Sequence, residues 1–188
     1  MILPIVSYGN PILKKKTLDI GKSYPNLNEL IENMFETLYA APGVGLAAPQ
    51  IGLSARLFVV DATGYSDEDN PELNGFKKTF INAQIIEEEG EEWLFNEGCL
   101  SFPKLREDVL RKPKIHIQYY DENFTYYDEW YEGILARIIQ HEYDHTDGVV
   151  FVDRLSNLKK QLIKGKLNDI MNGNVEVSYK IKYAKKKK

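Results

Sequence analysis

His141-Glu142-Tyr143-Asp144-His145 is the stretch on which the reading of this chain turns. Two histidines four residues apart on an α-helix lie on one face, one above the other, and can close on a single metal ion. Glu142 is rotated about 100° from His141, one residue step of the helix, so its carboxylate flanks such an ion instead of sitting behind it. That position suits a group that handles protons on a metal-activated water. Ile134, Leu135, Ile138 and Ile139 sit on and beside the histidine face. The helix, expected from about Tyr131 to about Gly148, is therefore buried, with the metal inside the protein.

A catalytic metal usually has three protein ligands and one open position. The chain holds three histidines and one cysteine. His116 lies on an alternating segment, where a histidine is more often a surface or structural residue. Cys99 is the better third ligand, because a thiolate binds metals strongly and Gly98 before it lets a turn approach closely. Two other readings compete. One is a zinc peptidase completed by a downstream carboxylate, with only Glu176 or aspartates such as Asp153 on offer. The other is a closed structural site, which needs four ligands and hence His116, in a domain that binds RNA through its lysines.

Composition narrows the class. With 188 residues, 43% hydrophobic and 28% charged, the chain reads as one globular domain over 1–188 with a real core. No apolar run is long enough to span a bilayer. Met1 to Val6 lacks a leading basic stretch and contains Pro4, which argues against a signal peptide. One cysteine excludes an internal disulfide, and a cytoplasmic location is expected. From Lys159 onward ten lysines face only Asp169 and Glu176, leaving that segment at +8 and the remainder at −12 within a net −4. Such an end can meet a polyanion such as RNA, although a solvated helix face with a disordered tail over 185–188 is the plainer expectation.

Upstream, Asn26 is expected to cap a first helix, with Glu29 in a capping-box position and Leu27, Leu30, Ile31, Met34, Phe35 and Leu38 as its core stripe. The helix should stop before Pro42. Gly43 to Gly52 is small and apolar, with Gln50 its one polar side chain, and lacks the endings of a phosphate loop. Leu57 to Val60 reads as a buried strand, 64–75 as an exposed loop, and Phe80 to Ile86 as a second strand. A third begins at Trp93 and runs into Cys99. Ile115, Ile117 and Tyr119 mark a half-buried strand leading through a turn at 121–123 into Phe124 to Trp130. After the metal helix, Ser156 is expected to cap a helix with Leu158, Leu162, Ile163, Leu167, Ile170 and Met171 as its stripe, ending at Asn172-Gly173. Val175, Val177, Tyr179, Ile181 and Tyr183 alternate as a final strand.

Three segments occur in a telling order: Gly43-Val44-Gly45-Leu46-Ala47-Ala48-Pro49-Gln50, Glu97-Gly98-Cys99-Leu100-Ser101 and Gln140-His141-Glu142-Tyr143-Asp144-His145. Together they resemble the signature motifs of the peptide deformylases, and the resemblance covers the chain from Ile2 to about Arg154. Ala83, where many relatives carry proline, and Asn123-Phe124, where the family hairpin often has glycine, depart from the pattern. The resemblance implies an α+β fold of antiparallel strands packed around a central metal-binding helix, with a C-terminal helix and final strand. It implies removal of the N-terminal formyl group from nascent polypeptides that begin with formylmethionine. By motif position it implies Cys99, His141 and His145 as ligands to Fe²⁺, with Zn²⁺, Ni²⁺ or Co²⁺ also able to occupy the site, and Glu142 as general base and acid. A metal-generated hydroxide would attack the formyl carbon, and formate would leave. Gln50 and the backbone N–H of Leu100 would hold the oxyanion, and the backbones of Val44, Gly45 and Gly98 would pair with the substrate as an added strand. Val44, Phe95, Ile134 and Ile138 are the candidates for the methionine pocket, with Arg106 at its rim. The expected partners are the formylated nascent peptide and, through the basic end, the ribosome; neither DNA nor a membrane is expected.

Overall fold

The structure is a computed structural model that describes residues 1–68 and 70–184. The expected lysine tail lies outside the described residues. Strand β3 (Leu57–Asp61) shows why the fold is layered as it is. Its run Leu57-Phe58-Val59-Val60 is apolar at every position because both faces are covered. Leu57 and Val59 face one apolar cluster, with Ile31, Met34, Phe35 and Leu38 of helix α1 (Leu27–Tyr39). Phe58 and Val60 face another, with Leu135, Ala136, Ile138 and Ile139 of helix α2 (Gly133–Thr146). The sheet between the helices has five antiparallel strands, β2 (Gly45–Ala47), β3, β4 (Lys77–Glu89), β7 (Lys114–Tyr120) and β8 (Tyr126–Glu132), in that spatial order. The fold is α+β, with α2 buried along most of its length.

A separate hairpin, β5 (Trp93–Cys99) with β6 (Phe102–Arg111), carries the cysteine. Its register breaks at the metal-proximal end: Gly98 pairs with Arg106, yet Cys99 pairs with Phe102, so three residues of β6 stand unpaired. Lys104, in that bulge, has φ +60. A bulge of this kind bends a strand and re-aims its side chains. The hairpin packs through Phe102, Leu105 and Val109 onto Phe151, Val152, Ile163 and Ile170.

Several local expectations are corrected. Asn26 precedes α1, but with φ +53 and ψ +36 its side chain makes no cap hydrogen bond, since capping needs extended backbone there. The metal helix starts at Gly133, because Tyr131 and Glu132 stay in β8 opposite Ile115 and Lys114. It ends before Gly148 (φ +74), where any Cβ would lie 2.8 Å from the Lys14 backbone. The 64–75 loop contains short 3₁₀ turns and buries Leu73. The long C-terminal helix is two, α3 (Asn157–Leu162) and α4 (Lys164–Asn172), with Ser156 capping the first through the Lys159 N–H. Ile163, Leu167 and Ile170, spaced at helical intervals, take the docking face, which leaves Leu158 and Leu162 exposed. The final strand shrinks to β9 (Ile181–Lys182), paired in parallel with β1 (Ile5–Val6).

Candidate metal centre

Helix α2 presents His141 and His145 with ring centroids 5.3 Å apart. The β5–β6 bulge brings Cys99 to them, its Sγ 3.3 Å from His145 Nε2. One donor atom each from Cys99, His141 and His145 lies within 4.8 Å of the others. His116 is elsewhere: on β7 it stacks on Trp130 at 4.8 Å between centroids and pairs with Asp128. Asp153 pairs with Lys14.

The donor set suits a divalent ion. His141 Nδ1 lies 2.8 Å from Glu97 Oε2, so the Nδ1–H donates to the carboxylate and Nε2 keeps its lone pair for a metal. Burial disfavours the imidazolium of His145, and its pKa falls well below the ordinary value. Burial acts the same way on His141, but hydrogen bonds to Cys99 and Glu97 outweigh it and raise its pKa, the mark of an anionic surrounding that also attracts a cation. A half-buried thiol with two buried imidazoles matches the soft and intermediate ligands preferred by zinc and by the later first-row metals.

Glu97 organises the neighbourhood. Besides His141 it accepts Arg111 Nε and Nη2 at 2.7 and 3.0 Å and Arg137 Nη1 at 2.9 Å. Burial opposes its ionisation, yet the hydrogen bonds from His141 and Arg111 hold its pKa far below the usual carboxylate range. Arg111 continues to Asp144 at 2.7 Å, and Asp144 accepts two further bonds from Arg154 at 2.6 Å. All of Glu97, Arg111, Arg137 and Asp144 are buried.

Glu142 and Gln50 complete the floor of a cavity of about 810 Å³. Glu142 is buried, and its Oε2 has no partner among the described residues. Burial pushes its pKa up to about 7. Gln50 is oriented by its own turn: Oε1 accepts the Ala47 N–H at 2.8 Å, which turns Nε2 towards Cys99 Sγ at 3.4 Å and Ser101 Oγ at 3.5 Å. Gly45 lies against Glu142 so closely that a Cβ would be 2.6 Å from its Oε1. Val44, Gly45, Phe95, Gly98, Leu100, Arg106, Ile134 and Ile138 all line the same cavity. Arg106 is tied to Asn96 by two hydrogen bonds of 2.8 and 2.6 Å.

Residues 2–161 match the sequence model of the polypeptide deformylases. The chain belongs to that family. It is 57% identical to a peptide deformylase of Flavobacterium psychrophilum over the whole of both chains. Its fold is similar to the peptide deformylase structure from Legionella pneumophila (TM-score 0.77, 36% identity, 90% of this chain and 95% of the other). It is also similar to the Thermotoga maritima enzyme (TM-score 0.74, 38% identity, 83% and 99%). Family membership makes the chain a hydrolase of N-terminal protein processing that acts on formylated nascent peptides, and deformylases are metalloenzymes. No helix among the described residues is long and apolar enough to cross a membrane.

Two features of this deformylase escaped the reading of its residues. Glu97 belongs to a recognised segment, but nothing local shows that its carboxylate meets a histidine 44 positions away. Arg111 and Arg137 look like ordinary surface charges until the hairpin folds over α2; a charge inside an otherwise apolar helical stripe, as at Arg137, is the one available hint.

Proposed function

We propose that the chain removes the formyl group from the N-terminal formylmethionine of nascent polypeptides by hydrolysis at a metal held by Cys99, His141 and His145. The observation that carries this reading is the convergence of those three donors on one point, with Cys99 and His141 lining the same cavity as Glu142 and Gln50. When bound, the ion supplies Lewis acidity, which acidifies water and polarises the formyl oxygen. Glu142 takes the proton of the attacking water on its carboxylate and delivers it to the leaving amine nitrogen. Gln50 Nε2 and the Leu100 N–H donate to the oxygen that becomes negative as the formyl carbon turns tetrahedral. Formate and a free amine result.

The substrate lies extended. Support for this comes from β2, an edge strand of the sheet whose Gly45 lines the cavity with neighbouring Val44, and from Gly98 on the opposing hairpin. Val44, Phe95, Ile134 and Ile138 offer the apolar pocket for methionine, with Arg106 at the rim. Fe²⁺ is the proposed physiological ion, Zn²⁺, Ni²⁺ or Co²⁺ being chemically compatible. The protein works in the cytoplasm, and its basic end docks it near the ribosomal exit, where salt should weaken the contact steeply.

Formate release from formyl-Met-Ala-Ser, measured with metal content after anaerobic purification, tests the function and the ion together. Absence of formate release from a metal-loaded protein refutes the reaction. An air-stable, fully active, zinc-filled protein refutes iron alone. Pelleting with ribosomes at low and high salt, with and without residues 185–188, tests the docking.

A further inference from the structure

The segment after α4 lies beyond the family match, which ends at residue 161, yet it comes back to the active cavity. From Asn174 the chain is irregular, with bends at Val175, Ser178 and Tyr179, and Glu176, Val177, Ser178 and Tyr179 line the cavity beside Leu100. Its alternation is one-sided: Val175, Val177 and Tyr179 are half-buried, while Glu176, Ser178 and Lys180 are exposed. The far end is tied down. The Ile5 N–H donates to Lys180 O at 2.9 Å, the Ser7 N–H to Lys182 O at 3.0 Å, and the Ala184 N–H to Ser7 Oγ at 3.0 Å.

Between these ends Tyr179 donates its hydroxyl to the carbonyl of Leu100 at 2.7 Å. The next carbonyl, of Ser101, accepts the Tyr8 N–H at 2.8 Å. The Leu100-Ser101 turn that joins β5 to β6 is therefore held from outside at both of its carbonyls. Leu100 stands between two peptide planes: its N–H belongs to one and its C=O to the other. Fixing the carbonyl plane restricts rocking about Leu100, and so the direction of the N–H. Tyr179 and Leu100 also share the apolar cluster of α1 and β2, so the phenol ring stays seated without its hydroxyl.

We propose that residues 176–179 form a working wall of the peptide cleft and that Tyr179 is a positioning residue for the Leu100 N–H. This rests on the assignment of that N–H to the oxyanion. A donor that is preorganised for developing charge contributes to the rate only while its direction is held.

The test is Tyr179→Phe in the full, metal-loaded chain. It removes one hydrogen bond and keeps the ring. Turnover (kcat) of formyl-Met-Ala-Ser should fall about five- to tenfold, the worth of one such bond, with KM and metal content at parental values and Tm lowered by no more than a few degrees. The backbone amide resonance of Leu100 should shift while those of β3 stay in place. Tyr179→Ala, which opens the wall as well, should raise KM in addition. Parental kcat in Tyr179→Phe, or an unmoved Leu100 amide, overturns the proposal. A fall in kcat matched by loss of metal, or by a fall in Tm well beyond a few degrees, also overturns it, because that is a structural role only. A parental chain without deformylation would overturn the function itself and the role that rests on it, and is recognised before any variant is made.

Discussion

Gly45→Ala isolates the contact between β2 and the proposed proton carrier. A methyl at Gly45 would lie 2.6 Å from Glu142 Cγ and Oε1 and 2.7 Å from Cδ, where ordinary contact begins at 3.4 Å. Either strand or carboxylate must move by about 0.8 Å, the difference between 2.6 and 3.4 Å. The strand is pinned, since Gly45, Leu46 and Ala47 pair with Val60, Val59 and Phe58. Gly45 is not in the left-handed region, so alanine brings no backbone strain of its own. The mobile partner is the end of the Glu142 side chain, and displacing it costs little stability, at most about 1–3 kcal/mol for overpacking. Chemistry is less forgiving: misplacement of a reacting group by about 1 Å costs on the order of 10²-fold. The expected result is turnover of formyl-Met-Ala-Ser lowered about 10²-fold with parental metal content and a Tm within several degrees. Combined with Glu142→Gln, Gly45→Ala should add little further loss, because both act through one carboxylate. Turnover within threefold of the parent, with metal intact, would refute the placement of Glu142 in the mechanism.

Other outcomes follow from the same geometry. Glu142→Gln should keep metal and fold while turnover drops ~10²–10⁴-fold, the usual worth of a proton shuttle; near-normal turnover would exclude the role. Cys99→Ala should lose metal and turnover together, as metal analysis beside the formate assay would reveal. Arg111→Leu leaves Glu97 and Asp144 without a shared buried partner and should cost about 3–5 kcal/mol in urea unfolding; a change below about 1 kcal/mol would mean that Arg137 and Arg154 suffice. Chelation should lower Tm as well as abolish turnover, because the ion binds only the folded donor set, and both should return when Fe²⁺ is restored without oxygen.

The sequence by itself determined whatever is written in neighbouring residues. His141 and His145 share a helix face because four residues make about one turn, and Leu57 to Val60 read as a buried strand because an unbroken apolar run needs two covered faces. The ordered motifs also pointed to Cys99, whose Sγ does lie 3.3 Å from His145 Nε2. Local signals failed where the backbone or a partner had another use for a residue. Asn26 has a capping side chain but a left-handed backbone, and the Leu158–Leu162 stripe lost its docking face to Ile163, Leu167 and Ile170. The alternation from Val175 to Tyr183 recorded one-sided burial, which a strap against a cavity produces as readily as a strand in a sheet. Tertiary structure alone decided the contacts between distant segments: Glu97 on His141, Arg111 bridging Glu97 to Asp144, Gly45 against Glu142, and Tyr179 on Leu100. Periodicity reports which face of an element is buried; the identity of the covering group is set only when the chain closes long loops, and no pattern of neighbours encodes it.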